Sequence, residues 1–278
     1  MSLSQRLVPT PRRRVVLDND WSGDPDGVLA LAHHLLSPAN RIDAITGSFL
    51  NPEFGAPPTS AADGAAMARE LIGLMGHDID VHPGSETPWA PGSQSSAAGA
   101  AIVAQARRED PLPLLIVCGG PLTNVAAALE ADPGVAERAT LVWIGGALEE
   151  SRYEYNRDTD PAAAERVLAQ PGLVIHEFPV EAYRQCAYSL TELDALLTGA
   201  GRVGAWLRDH FASPPDWVEL DEFWPLGDSP PLFLTALTTQ SCEFDALPAD
   251  GGAERTVYTR LDTRLLFGDM EAKFARLR

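Results

Sequence analysis

Four aspartates, Asp18, Asp20, Asp24 and Asp26, fall in the stretch RVVLDNDWSGDPDGVLALAHHLL from Arg14 to Leu36. An apolar run precedes them and a helix-like one follows. Carboxylates gathered this closely repel one another, and a single helix cap uses one acceptor for about 1 kcal/mol. Capping therefore leaves most of the charge unexplained. A hard cation or a hydroxyl-rich ligand would offset it, and Ca²⁺ in particular accepts oxygen donors in irregular, high-coordination geometry.

An EF-hand fails on its spacing. Counted from Asp18, Asp20 and Gly23 suit such a loop, but Leu29 stands where a bidentate Glu belongs, and VVL is too short and strand-like to be the entering helix. An aspartyl-phosphate phosphatase, with its nucleophile after a strand in a D-x-D motif, is weakened by the chain's supply of lysine. The only one, Lys273, lies close to the C-terminus.

The elements that must hold these carboxylates are readable from apolar periodicity. VVLD (15–18), IDAITGSF (42–49), LPLLIVCG (112–119), ATLVWIGG (139–146) and GLVIHEF (172–178) read as buried parallel strands. Helical patterns follow the first four at 27–36, 59–76, 121–133 and 160–170. The alternation predicts an α/β fold, a doubly wound, mostly parallel sheet flanked by helices. Ligands of such sheets bind beyond the carboxyl ends of the strands, where Asp18 to Asp26, Asn51, Gly119 to Asn124 and the chain after Gly145 would lie. Residues 190–211 read as helical and 212–231 as a loop rich in Pro and Trp. A flexible arm, 1–13, with the solvated run Arg12-Arg13-Arg14 at its end, would precede a single domain, 14–278.

A formal charge of −18 and a pI near 4.6 argue against a nucleic-acid partner. No apolar stretch reaches the roughly 20 residues of a membrane span, and the start lacks the apolar middle of a signal peptide. The expectation is a soluble, cytoplasmic protein with no membrane partner. Cys118, Cys186 and Cys242 suit neither a disulfide framework nor a zinc site.

Several segments taken together carry a resemblance. The strand ending D-N-D, the acidic loop and the helix beginning with A-L resemble the opening of the inosine–uridine preferring nucleoside hydrolase family, in its variant with two extra residues. ITGSFLN (45–51), GGPLTNVAAALEADP (119–133), WIGGA (143–147), YEYN (153–156) and DPAAAERVL (160–168) follow in the family's order. The resemblance implies N-glycosidic hydrolysis of a nucleoside or related riboside, a small-molecule substrate, a Ca²⁺ cofactor and a homodimer or homotetramer. It places the ion on Asp20, on Asp24 or Asp26, on the main-chain carbonyl of Thr123, and on Asp228. The ribose falls to Asn51, Glu154 and Asn156 with Asp26 and Asp228. Asp20, at both metal and water, is the implied catalytic base.

Two positions depart from the pattern. The second of the family's paired aspartates is Gly27 here, so that either Asp24 replaces it or the ion is held weakly. The histidine before the C-terminal aspartate is Gly227, which removes a residue associated with the leaving base. Trp217 and Trp224 are candidates to stack on that base or to pack in the core. A homologue that binds a ribose-like ligand without turnover is the alternative function.

Overall fold

A computed structural model describes residues 9–149, 151–213 and 221–277. Among these, the strands are β1 (Arg13–Asn19), β2 (Asn40–Gly47), β3 (Val81–Pro83), β4 (Leu114–Cys118), β5 (Ala139–Ile144), β6 (Val174–Phe178), β7 (Ala187–Ser189), β8 (Phe223–Pro225), β9 (Glu243–Leu247) and β10 (Glu254–Arg260). Eight of them form one sheet in the order β3-β2-β1-β4-β5-β6-β10-β9, and β7 pairs with β8 in a separate ribbon. Every pairing in the large sheet is parallel except that of β9 with β10. This is the doubly wound, mostly parallel α/β architecture expected from the alternation of elements.

Burial on both faces explains the continuous apolar runs. All five residues of β4 are buried, and in β1 Val15 and Leu17 join one core while Val16 joins the other. Helices Asp26–Leu35, Ser60–Leu74 and Thr263–Phe274 contribute to the first core, and Ala97–Arg107, Thr123–Ala131 and Pro161–Leu168 to the second. β1 leads to β2 on one side and lies against β4 on the other. The strand order reverses there, so the carboxyl ends of β1 and β4 open a crevice, the place where such sheets bind ligands.

The structure corrects several expectations. Arg14 is not in a solvated arm: it is buried within β1, donates to the Gln105 carbonyl at 3.0 Å, and has Asp43 at 3.8 Å. A buried guanidinium is tolerated only with such partners. The helical stretch 190–211 divides into Leu190–Thr198 and Gly201–Phe211, the second opening on Gly201 at φ +60°, a conformation glycine adopts without a Cβ penalty. Trp224 is buried against Phe211, so it packs the core rather than a ligand. Trp217 lies outside the described residues. Among the described residues no helix is long and apolar enough to cross a membrane.

Candidate active site

Beyond the ends of β1, β4 and β5 lies a cavity of about 300 Å³. Asp20, Asp24, Asp26 and Asp228 line it, together with Glu154 and Asn156. Oxygens of Asp24, Asp26 and Asp228 lie within 4.8 Å of one another, while Asp20 faces the same space outside that group of three. Burial is the first cause that lifts the Asp20 and Asp26 carboxyls well above the usual range, and the charges of Asp24 and Asp228 add to it. Asp228 is pushed up to about 8 by burial and then by Asp24. Converging carboxylates hold either a shared proton or a cation. Three hard oxygen donors fit a divalent ion of the calcium type and offer nothing to a soft metal.

The four aspartates of the opening loop have different tasks. Asp18 does not face the cavity. Its buried carboxylate accepts from Thr46 Oγ1 at 2.6 Å, Ser48 Oγ at 2.8 Å and Asn124 Nδ2 at 2.8 Å, which ties β1 to β2 and to the helix Thr123–Ala131. Asn19, which the sequence reading passed over, couples the site instead. Its amide donates to Asp228 Oδ2 at 2.9 Å and its carbonyl oxygen accepts from the Asp20 backbone at 2.7 Å. The readable signal is the period of two along a strand, which turns the middle residue of D-N-D away from Asp18.

Glu154 and Asn156 form the opposite wall. The Glu154 carboxylate caps the helix Tyr155–Thr159 and accepts from the backbone N–H groups of Gly146 (2.8 Å), Arg157 (2.9 Å) and Asn156 (3.2 Å) and from Tyr183 Oη (3.1 Å). Asn156 Nδ2 donates to the carbonyls of Gly119 at 3.0 Å and Ile144 at 2.9 Å. Both amide hydrogens are thus used to fix the ends of β4 and β5, and Oδ1 remains as its acceptor. Asn51 stands behind this wall: its N–H donates to Tyr155 Oη at 3.1 Å and its side chain caps Pro52–Phe54. Thr123 is buried outside the cavity lining, its hydroxyl bound to Asp160 Oδ2 at 2.5 Å.

The two departures have local causes. A Cβ at Gly27 would lie 3.0 Å from Asp228 Oδ2 and 3.1 Å from Asn19 Nδ2, so the Asn19 amide and the carboxylate it holds crowd the place of the missing side chain. Asp24 supplies the third carboxylate. A Cβ at Gly227 would meet Tyr183 Cδ2 at 3.2 Å, and Tyr183 lines the cavity there. None of the six histidines is in the lining. His33 binds Asp269 at 2.8 Å, His176 approaches Tyr258 Oη at 3.1 Å, and His210 contacts the Trp206 carbonyl at 2.8 Å. His34 is held down to about 3 by burial. At the mouth, the exposed ring of Tyr153 and that of Tyr155 stand 6.4 Å and 5.7 Å from Phe54.

A family model described as inosine-uridine preferring nucleoside hydrolase matches residues 15–229. An uncharacterized protein of Schizosaccharomyces pombe is 29% identical over 230 residues, 70% of this chain and 71% of its own. The pyrimidine-specific ribonucleoside hydrolase RihA of Salmonella paratyphi A is 31% identical over 185 residues, and the match spans only 58% of either chain. Among solved structures, an inosine-guanosine nucleoside hydrolase superposes with a TM-score of 0.74 at 15% identity, over 95% of this chain and 99% of its own. The inosine-uridine preferring nucleoside hydrolase of Bacillus anthracis does so with a TM-score of 0.70 at 14% identity, over the same shares. At that identity the likeness is one of fold.

Proposed function

This chain belongs to the inosine-uridine preferring nucleoside hydrolase family, and we propose that it hydrolyses the N-glycosidic bond of a ribonucleoside or related N-riboside in the carboxylate-lined cavity. The observation that carries the reading is the meeting of Asp24, Asp26 and Asp228 within 4.8 Å, beside Asp20 and across from Glu154 and Asn156. Bond cleavage passes through an oxocarbenium-like sugar, whose positive charge a ring of carboxylates stabilises.

Asp24, Asp26 and Asp228 would hold a calcium ion, with Asp24 in the place left by Gly27. When bound, that ion would supply a grip on sugar hydroxyls and a lowered pKa for a bound water. Asp20 takes the proton of the attacking water. The Asn19 amide holds Asp228 in place and fixes the backbone of Asp20. Asn156 Oδ1 and Glu154 bind the ribose, with Asn51 in support through Tyr155. Thr123 contributes at most its carbonyl, since its hydroxyl serves Asp160.

Ribose released from a panel of nucleosides, measured as reducing sugar with calcium present, tests the proposal. A panel that yields none with calcium refutes it. Gly27 and Gly227 favour a second reading, a homologue that binds a ribose-like ligand without turnover. Calorimetric binding of ribose with no released sugar in the panel would select it.

A further inference from the structure

The charged side chains of the cavity lining are acidic with one exception. Asp20, Asp24, Asp26, Glu154 and Asp228 line the cavity, and Arg184 is the one cationic side chain in the lining among the described residues. Arg184 is exposed, follows directly on the short helix Val180–Tyr183, and its guanidinium has neither an ion pair nor a hydrogen bond among the described residues. Its charge reaches the Tyr183 hydroxyl, beside the space at Gly227. In a chain that carries 39 acidic against 21 basic residues, a cation in the cavity lining that no carboxylate among the described residues engages is available to an anion entering the cavity.

A leaving nitrogen base provides such a partner. No imidazole lines the cavity to protonate it. Tyr183 is no substitute, because its hydroxyl is given to Glu154, and burial and that carboxylate both hold the phenol in its protonated form. Glu154 accepts four hydrogen bonds, which favour its carboxylate form against the upward push of burial. On the reading of this site as a nucleoside hydrolase, on which the inference rests, the guanidinium of Arg184 meets charge on the departing base where no imidazole offers a proton.

We propose that Arg184 binds and stabilises the leaving base as an anion, which restricts the substrates to N-ribosides whose aglycone leaves as a resonance-stabilised, oxo-substituted anion. The C1′–N bond breaks with its electron pair going to the base nitrogen, and the water oxygen bonds to C1′. One water proton goes to Asp20, the guanidinium faces the anion, and the released base takes a proton from solvent. Ribose and the neutral base are the products. A guanidinium suits this task because it stays charged and presents several N–H donors in one plane to carbonyl and ring-nitrogen acceptors.

The test compares uridine, 5-fluorouridine, cytidine, adenosine and p-nitrophenyl riboside, each with calcium, in the wild type, Arg184→Gln and Arg184→Lys. Uridine and 5-fluorouridine should exceed cytidine and adenosine in kcat/KM. A lost charge-assisted hydrogen bond should lower uridine hydrolysis in Arg184→Gln by about 10- to 100-fold. 5-Fluorouridine should fall less, and p-nitrophenyl riboside, whose anion needs little help, least of all. Arg184→Lys should recover part of the loss, and the calcium-dependent shift in Tm should match the wild type in both variants. Equal slowing of all substrates by Arg184→Gln, no slowing, or a preference for adenosine or cytidine overturns the role of Arg184 while leaving the hydrolase reading intact. Failure of every substrate, p-nitrophenyl riboside included, removes the hydrolase reading and this inference with it.

Discussion

Asp20 stands apart from the group of Asp24, Asp26 and Asp228, and that separation gives the residues different losses on substitution. Asp20→Asn keeps the size of the side chain and removes a proton acceptor, so kcat should fall about 10²- to 10⁴-fold while calcium still raises Tm. Asp228 makes a pH prediction. It keeps its proton up to about 8 in the folded protein against 3.8 ordinarily. The folded state therefore binds the extra proton between those values, and the stability this gives to the ion-free protein is present below the lower one and is lost as pH rises toward the upper. The difference in Tm between wild type and Asp228→Asn, measured with chelator, should shift against the wild type as pH rises from 4 to 8. A difference independent of pH would count against the raised proton affinity. At this scale the opening-loop aspartates were legible because their types and spacing carry the chemistry, whereas Asp228, Glu154 and Asn156 were reached only through the family resemblance. Asn19, Tyr183 and Arg184 were not legible, since an amide, a phenol and a guanidinium become site residues only through what tertiary contact brings to them.

At the scale of elements, the reversal of strand order between β1 and β4 creates the site, and close approach of their ends keeps it. A Cβ at Gly119, just past β4, would lie 2.5 Å from Asn19 Nδ2 and 3.0 Å from Asp228 Oδ1. Gly119→Ala must push the Asn19 amide off Asp228, with a cost of about 1–3 kcal/mol typical of overpacking and a weaker calcium response. Denaturant unfolding checks the first and calcium titration the second; unchanged values in both would refute the contact. The five buried parallel strands were readable as uninterrupted apolar runs. β10 was not, because in ERTVYTR, next to an exposed edge strand, only the adjacent Val257 and Tyr258 are apolar, too short a run to read as a strand. β3 is only three residues long, and the helix Ala97–Arg107 is mostly alanine and glycine with a weak apolar stripe. The Asp18 cluster explains why the first aspartate of the motif belongs to the fold rather than to the chemistry.

The molecule as a whole joins a high negative charge to a cavity that concentrates it. Its sheet places five carboxylates around about 300 Å³ at the switch point, with one guanidinium in the lining among the described residues. A bound divalent ion would relieve the repulsion locally and stabilise the folded state by mass action. We propose that this chain releases ribose from an N-riboside by means of those carboxylates and a calcium ion. The direct measurement is reducing sugar formed from uridine by the purified protein, with calcium, after chelation, and after calcium is restored. Ribose formation with calcium, its loss on chelation and its return on readdition are expected, with Asp20→Asn slower by about 10²-fold or more whenever calcium is present. Ribose formed equally with and without chelator, or by Asp20→Asn at the wild-type rate, would contradict it.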